Sequence, residues 1–158
     1  MAYHMRRSER EITDWDTIET IIRQGKYTSI ALCRDNEPYG VTLSYGYDKQ
    51  SHALYFHCAH EGLKTDFVRS NASACATIIE DNGYVQGVCV HKFRSVVIRG
   101  KIEIMEKDDD IKRGLGALLE HLEENPEARQ AQMPTTAEGW AKVSVWRMSI
   151  DEVSAKEM

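Results

Sequence analysis

The sequence predicts a mainly antiparallel β structure, a sheet or small barrel with flanking helices, in one domain. Three observations carry this. Strand-like segments follow one another across short turns rather than alternating with helices. Sustained helical periodicity occurs only near the start and around residues 108–125. The length of 158 residues, with 42% hydrophobic and 28% charged side chains, suits a single globular core.

The elements follow in order. Thr13-Asp14-Trp15-Asp16 supplies a capping oxygen and acids for a first helical turn, and Trp15, Ile18, Ile21 and Ile22 recur at helical spacing until Gly25. Thr28 to Cys33 reads as a strand, Asp35-Asn36-Glu37-Pro38 as a turn, and Tyr39 to Tyr47 as the next strand. Asp48 to His52 turns again and Ala53 to Cys58 is a third strand, so these three are expected to form a meander. Leu63, Phe67 and Val68 mark a short helix ending at Ser70-Asn71. Ala74 to Ile79 is a strand broken by Asp81-Asn82-Gly83, and Val85 to Phe93 fits strand or loop. Arg94 to Met105 is a long strand with Val96, Ile98, Ile102 and Ile104 in alternation. Three acids, Asp108 to Asp110, open a helix whose apolar stripe is Ile111, Leu115, Leu118 and Leu122. Asn125-Pro126 stops it. A polar segment, Glu127 to Gly139, precedes a last strand, Trp140 to Met148, and a tail.

Bulk properties narrow the function. The net charge of −5 argues against non-specific nucleic-acid binding, which relies on basic surface. No apolar run approaches the roughly 18 residues that a membrane span needs. Met1 to Arg7 carries charge with no apolar stretch behind it and is not expected to be a secretory signal. The cysteines Cys33, Cys58, Cys75 and Cys89 form no C-x-x-C pair, which suits a reduced, cytoplasmic setting.

The stretch from Leu54 to Phe67 carries the most chemistry. A strand runs into a short polar segment, then Gly62, then Lys64. A helix N-terminus, backbone N–H groups and a fixed positive charge together suit a phosphate. The residue types alone also fit a turn glycine and a solvated lysine, which is the commoner case. His57 and His60 are three apart, but His57 sits at a strand end and no carboxylate or thiolate completes a set, so no metal site is expected. No G-x-S-x-G, Walker-type or G-x-G-x-x-G pattern occurs, and Gly114 and Gly116 lie inside a helix where close packing explains them. Lys92-Phe93-Arg94-Ser95 is a second candidate, or else a solvated strand end. Trp140 and Trp146 suit a core or a subunit interface.

In combination these segments resemble a known family. The pattern runs from Met5-Arg6-Arg7, Arg10 and Glu11 through Pro38 to Tyr45, then Leu54 to His57 with Gly62 and Lys64. It continues with Lys92 to Val96, Gly100, Asn125-Pro126-Glu127 and Val145 to Ile150. It is similar to the pyridoxamine 5'-phosphate oxidase-related flavoproteins, nearest the nitroimidazole-resistance (Nim-like) branch.

The resemblance implies a six-stranded, Greek-key, FMN-binding split β-barrel over residues 1–158. Its helical segment would span about 13–25 and its barrel about 27–148. It implies a homodimer with flavin at the subunit interface. Val41, Thr42, Leu43 and Ser44 match the strand along the flavin ring. His57, Cys58, Ala59, Gly62 and Lys64 match the phosphate-side segment, with His57 as the histidine near the flavin. Arg94, Ser95, Trp146 and Arg147 match strands that contact the flavin.

Departures from the oxidases follow the same motifs. Leu63 replaces an arginine, His57 and Cys58 a tyrosine and a threonine, and Ser95 a glutamine. The chain ends at Met158 without their arginine-rich C-terminal motif. Pyridoxamine phosphate oxidation is therefore not expected. The implied function is an FMN-dependent oxidoreductase that passes electrons from a reduced nicotinamide to a small acceptor such as a nitro-aromatic. The alternatives are a non-catalytic flavin-binding or storage protein and a haem-binding split barrel with His57 or His60 as axial ligand.

Overall fold

Asp14 sets the start of helix α1 (Trp15–Gln24), its carboxylate accepting from the Thr17 amide at 2.9 Å. The computed structural model describes residues 5–158, and the sequence reading of Met1 to His4 lies outside them. Ile18, Ile21 and Ile22 turn α1 onto the barrel, as their spacing predicts. Strands β1 (Tyr27–Arg34) and β2 (Glu37–Ser44) form a hairpin in full register from Tyr27–Ser44 to Arg34–Glu37. Its loop is Asp35-Asn36, with φ of 48° and 65°, the backbone of a two-residue type I′ turn. Pro38, expected in the turn, therefore lies in the strand opposite Cys33. A missing N–H is tolerated there because β2 is an edge.

The strand expected from Tyr39 to Tyr47 is divided. Tyr45 is fully buried and its hydroxyl donates to the Ile22 carbonyl at 2.6 Å, fixing a step in the chain. Residues beyond it form β3 (Gly46–Asp48), which pairs with β4 (Ala53–Cys58). No meander forms, because β2 and β3 are consecutive in sequence but stand at opposite ends of the strand path β2-β1-β5-β6-β7-β4-β3. The chain closes the barrel by crossing between sheet edges at Tyr45.

Two sheets share the long strand β6 (Val90–Ile104). In the first, β2, β1, β5 (Ser73–Val85) and β6 lie side by side, and Arg94–Arg99 of β6 pairs with β8 (Glu152–Glu157). In the second, Ile102–Ile104 of β6 pairs with β7 (Ser144–Ser149), which pairs with β4. The expected break at Asp81-Asn82-Gly83 is a register shift within β5. The described residues thus hold eight strands where six were expected, and the barrel runs to Glu157 rather than ending near 148. The antiparallel split-barrel class itself holds.

The principal core lies between the sheets, with Ile30, Ile78, Ile98, Phe56, Trp146 and Met148 almost inaccessible. A second core lies under helix α3 (Asp108–Leu122), where Ile111 and Leu118 meet Tyr55 and Val145. Gly114 allows this approach: an added Cβ would stand 2.7 Å from Tyr55 Cδ1. Helix α2 (Leu63–Ser70) packs beside β1, and short helices α4 (Pro126–Gln130) and α5 (Ala137–Trp140) lead to β7. Trp140 ends α5 rather than opening the last strand. Trp140 and Trp146 are both buried, so neither lends area to a subunit contact. Among the described residues no helix is long and apolar enough to cross a membrane.

His121 joins α3 to the end of α1. Its Nε2 bonds the Gly25 carbonyl at 2.6 Å, its ring lies 4.9 Å from that of Tyr45, and Lys26 Nζ bonds its carbonyl at 2.6 Å. Burial pushes its pKa below the usual histidine value, and the Lys26 and Arg23 charges act in the same direction. The unfolded chain therefore takes up a proton more readily than the folded one, and stability is lost as pH falls through about 6.5. Melting temperature should drop between roughly pH 7 and pH 5. His121→Gln should flatten that part of the profile, and an unchanged slope would remove His121 as its cause.

Candidate functional site

The predicted phosphate segment forms an open cradle where β4 ends and α2 begins. Gly62 caps α2 with φ +123°, a backbone state that side-chain-bearing residues rarely adopt. Its carbonyl accepts from the Thr65 and Asp66 amides at 2.9 and 3.1 Å. The amides of Leu63 and Lys64 precede these and have no acceptor within the helix. An added Cβ on Gly62 would meet nothing within 4 Å, so the space before the helix is open. The incoming loop is tied down, with Thr65 Oγ1 donating to the Ala59 carbonyl at 3.4 Å and Arg69 Nη2 to the His60 carbonyl at 3.3 Å.

Cys58 points into the barrel beside this cradle. Burial pushes its thiol pKa up to about 11, opposed by the nearby Lys64 ammonium. It remains a neutral thiol at physiological pH and is no nucleophile. His57, next along β4, faces the other way and is exposed, opposite Val145 in register.

The β2 edge comes within 8 Å of both α2 and β4. The Tyr39 ring packs 5.0 Å from that of Phe67 on α2. Val41 and Leu43 turn toward the core, while Thr42 and Ser44 are exposed. Half of this edge strand's backbone polar groups face away from β1 and are open to a ligand. The strand that carries Val41 to Ser44 thus approaches the two elements that carry His57, Cys58 and Lys64.

Arg94 and Ser95 lie apart from that strand. They lie on β6, three strand spacings from β2, a distance of about 14 Å. Arg94 makes a forked pair with Glu80, Nε to Oε1 at 3.0 Å and Nη2 to Oε2 at 2.5 Å. That pairing holds the Glu80 carboxyl below its ordinary pKa. Ser95 stands between Ile79 and Lys156 in register and is 6% exposed.

Trp146 is a correction to the sequence reading. Its side chain has no exposed surface and sits in the barrel opposite Phe56, so it offers no surface contact to a cofactor. The alternation of β7 misleads because both of its faces are covered, one by the barrel interior and the other by α3. Sequence reasoning also missed Glu80, a cross-strand partner, and the outward face of the first sheet. Small residues at alternate positions of β1, namely Ser29, Ala31 and Cys33, were a signal for that face. Two clefts open there, of about 630 and 610 Å³, the first lined by Ala31, Cys33 and Cys75 and the second by Ile79, Ser95 and Val97.

Fold and site define a split antiparallel barrel with an open helix start, flanked by Lys64, at one sheet edge. The family model described as pyridoxamine 5'-phosphate oxidase matches residues 14–157, and the chain belongs to that family. A solved candidate 5-nitroimidazole antibiotic resistance protein from Bacteroides thetaiotaomicron is 25% identical. The match covers 93% of this chain and 86% of that one, with a TM-score of 0.77. The flavocytochrome Anf3 of Azotobacter vinelandii shares the fold at 18% identity and TM-score 0.82, over 99% of this chain and 72% of that one. An FAD- and haem-binding protein of Mycobacterium smegmatis does so at 18% identity and TM-score 0.74, over 94% and 73%. No curated protein matches the sequence at a significant level.

Proposed function

We propose that this protein is an FMN-binding oxidoreductase that works as a cytoplasmic homodimer. The observation that carries the reading is the cradle: open space before α2, first-turn amides with no acceptor among the described residues and the Lys64 ammonium, all beside the exposed β2 edge. These groups suit the phosphate of FMN, and Val41 to Ser44 would present backbone polar groups to the ring edge. Solved relatives described as flavin proteins support the same direction. When bound, the flavin would carry electrons from a reduced nicotinamide to a small acceptor such as a nitro-aromatic. His57, exposed at the end of β4, would supply a proton to an acceptor docked at the rim. Leu63 is 53% exposed where the vitamin B6 oxidases carry an arginine, so pyridoxamine phosphate is not the proposed substrate. The four cysteines are free, in keeping with a reducing compartment.

The separation of Arg94 and Ser95 from the cradle supports the dimer reading. An isologous contact through the outer face of the first sheet would bring the second copy's β6 to this copy's β2 edge. That face carries Ala31, Gly40, Cys75 and Val97, with Ile79 62% exposed, and so permits close approach of two sheets.

An absorption spectrum after reconstitution with FMN tests the function. Flavin bands that NADH or NADPH bleaches, and that a nitro-aromatic restores, are expected. Flavin bands that neither donor bleaches would leave a storage protein, and a single Soret band would indicate haem. Absence of any flavin band after reconstitution would overturn the proposal.

A further inference from the structure

A cleft remote from the cradle opens between α1, the β3–β4 turn and α3. Its volume is about 500 Å³, and Arg23, Tyr47, Asp48, Lys49, Arg113 and Gly116 line it. Two carboxylates organise its cations. Glu19, 5% exposed, accepts from Arg23 Nε and Nη2 at 3.1 and 2.8 Å and from Lys49 Nζ at 2.8 Å. Asp48 accepts from Arg113 Nε and Nη2 at 3.0 and 2.8 Å and from Ser51 Oγ at 2.7 Å. These bonds occupy one edge of each guanidinium and one Lys49 proton. Among the described residues they leave Nη1 of Arg23, Nη1 of Arg113 and two Lys49 protons as spare donors.

Tyr47 is the second observation. It is 6% exposed, and no acceptor among the described residues meets its hydroxyl in hydrogen-bonding geometry; burial and then the nearby Glu19 carboxylate push its pKa up, but that carboxylate is already held by Arg23 and Lys49. The hydroxyl lies among the charges of Glu19, Arg23 and Asp48, and the Arg23 guanidinium carbon stands 5.2 Å from the ring centre. A buried hydroxyl without a partner is costly, which points to a group that completes it.

Gly116 is the third. It shares a helix face with Arg113 and Glu120, and an added Cβ would meet nothing within 4 Å. Glycine is unfavourable in a helix interior, and packing does not require it here. The missing side chain keeps the floor of the cleft open. Glu120, also lining the cleft, is exposed and screened by water.

We propose that this cleft binds a small oxyanion, a carboxylate or phosphate group. The Tyr47 hydroxyl and the spare N–H groups of Arg23, Lys49 and Arg113 hold it over Gly116. The chemistry follows from what internal pairing leaves over: the inner acids are consumed, and the unmet groups are donors.

Amide NMR of the full-length protein loaded with FMN, titrated separately with inorganic phosphate and with malonate, tests this. Saturating shifts at Tyr47, Lys49 and Gly116 are expected. Response to phosphate alone would assign a phosphoryl group, and response to malonate alone a carboxylate. If FMN does not load, the same titration on the free protein reports the cradle separately through Gly62 and Lys64. Tyr47→Phe removes only an unpartnered hydroxyl and Gly116→Ala fills open space, so both variants should melt no lower than the parent protein. Tyr47→Phe should weaken binding by about 10-fold. No saturating shift in the cleft with either probe, or unchanged affinity in both variants, would overturn the proposal.

Discussion

Gly100→Ala is expected to destabilise the fold by about 3 kcal/mol, the upper end of the range for overpacking. Gly100 is where β6 leaves β8 and takes up β7, since Arg99 pairs with Glu152 and Ile102 with Met148. The end of β7, at Ser149, passes directly over it. An added Cβ would overlap the Ser149 carbonyl oxygen and stand 2.8 Å from the Ser149 carbonyl carbon. Both backbones are pinned there: the Asp151 amide donates to the Arg99 carbonyl at 3.0 Å, and the Lys101 amide donates to Ser149 Oγ at 3.0 Å. A side chain could rotate away from such a clash, but a hydrogen-bonded main chain cannot. For a domain of this size the loss corresponds to a drop of roughly 6–12 °C in melting temperature. Gly116→Ala, the same chemical change in open space, is the control. A melting curve for Gly100→Ala that superposes on the parent's would mean that the sheet switch tolerates a side chain.

The elements that local pattern determines were legible in the sequence. Asp14 and the isoleucines of α1, the β1 strand, the short α2 and the three acids of α3 all lie where their residue types put them. What escaped depends on distant partners. Nothing within Tyr39 to Tyr47 signals that Tyr45 leaves one sheet for another; its hydroxyl bond to Ile22 is a contact between elements. Strand β8 reads as a tail because Glu-Val-Ser-Ala-Lys-Glu carries little apolar signal. It forms because β6 offers a free edge, and Ala155 alone is buried in it.

The site divides along the same line. Gly62 and Lys64 were legible because a helix start and a nearby charge are local features. The surroundings of Arg94 were not, since Glu80 lies fourteen residues away and meets it only through the β5–β6 register, where the two are paired. Trp146 shows the complementary failure. Alternation places a residue on a face, but in β7 both faces are interior, and Val145 is as inaccessible as Trp146. A motif match can therefore put the right strand near a site while assigning the contact to a side chain that faces the core.

Lys64→Ala is expected to weaken FMN binding by about 10- to 100-fold, the loss of a charge-assisted contact to a dianionic phosphate. Among the described residues Lys64 makes no ion pair, and its charge is felt by the neighbouring Cys58 thiol. Removing it should leave the melting temperature of the flavin-free protein unchanged, because no internal bond is lost. Quenching of FMN fluorescence measures the affinity. Salt provides an independent check: the parent's affinity should fall with ionic strength more steeply than the variant's, since a partly exposed charge on phosphate is screened. Lys64→Arg should recover much of the binding through the same charge. If alanine leaves affinity and salt dependence unaltered, the phosphate does not sit at α2. The flavin would then have to be sought on the outer face of the first sheet, where Ser95 and Ile79 border a cleft of their own.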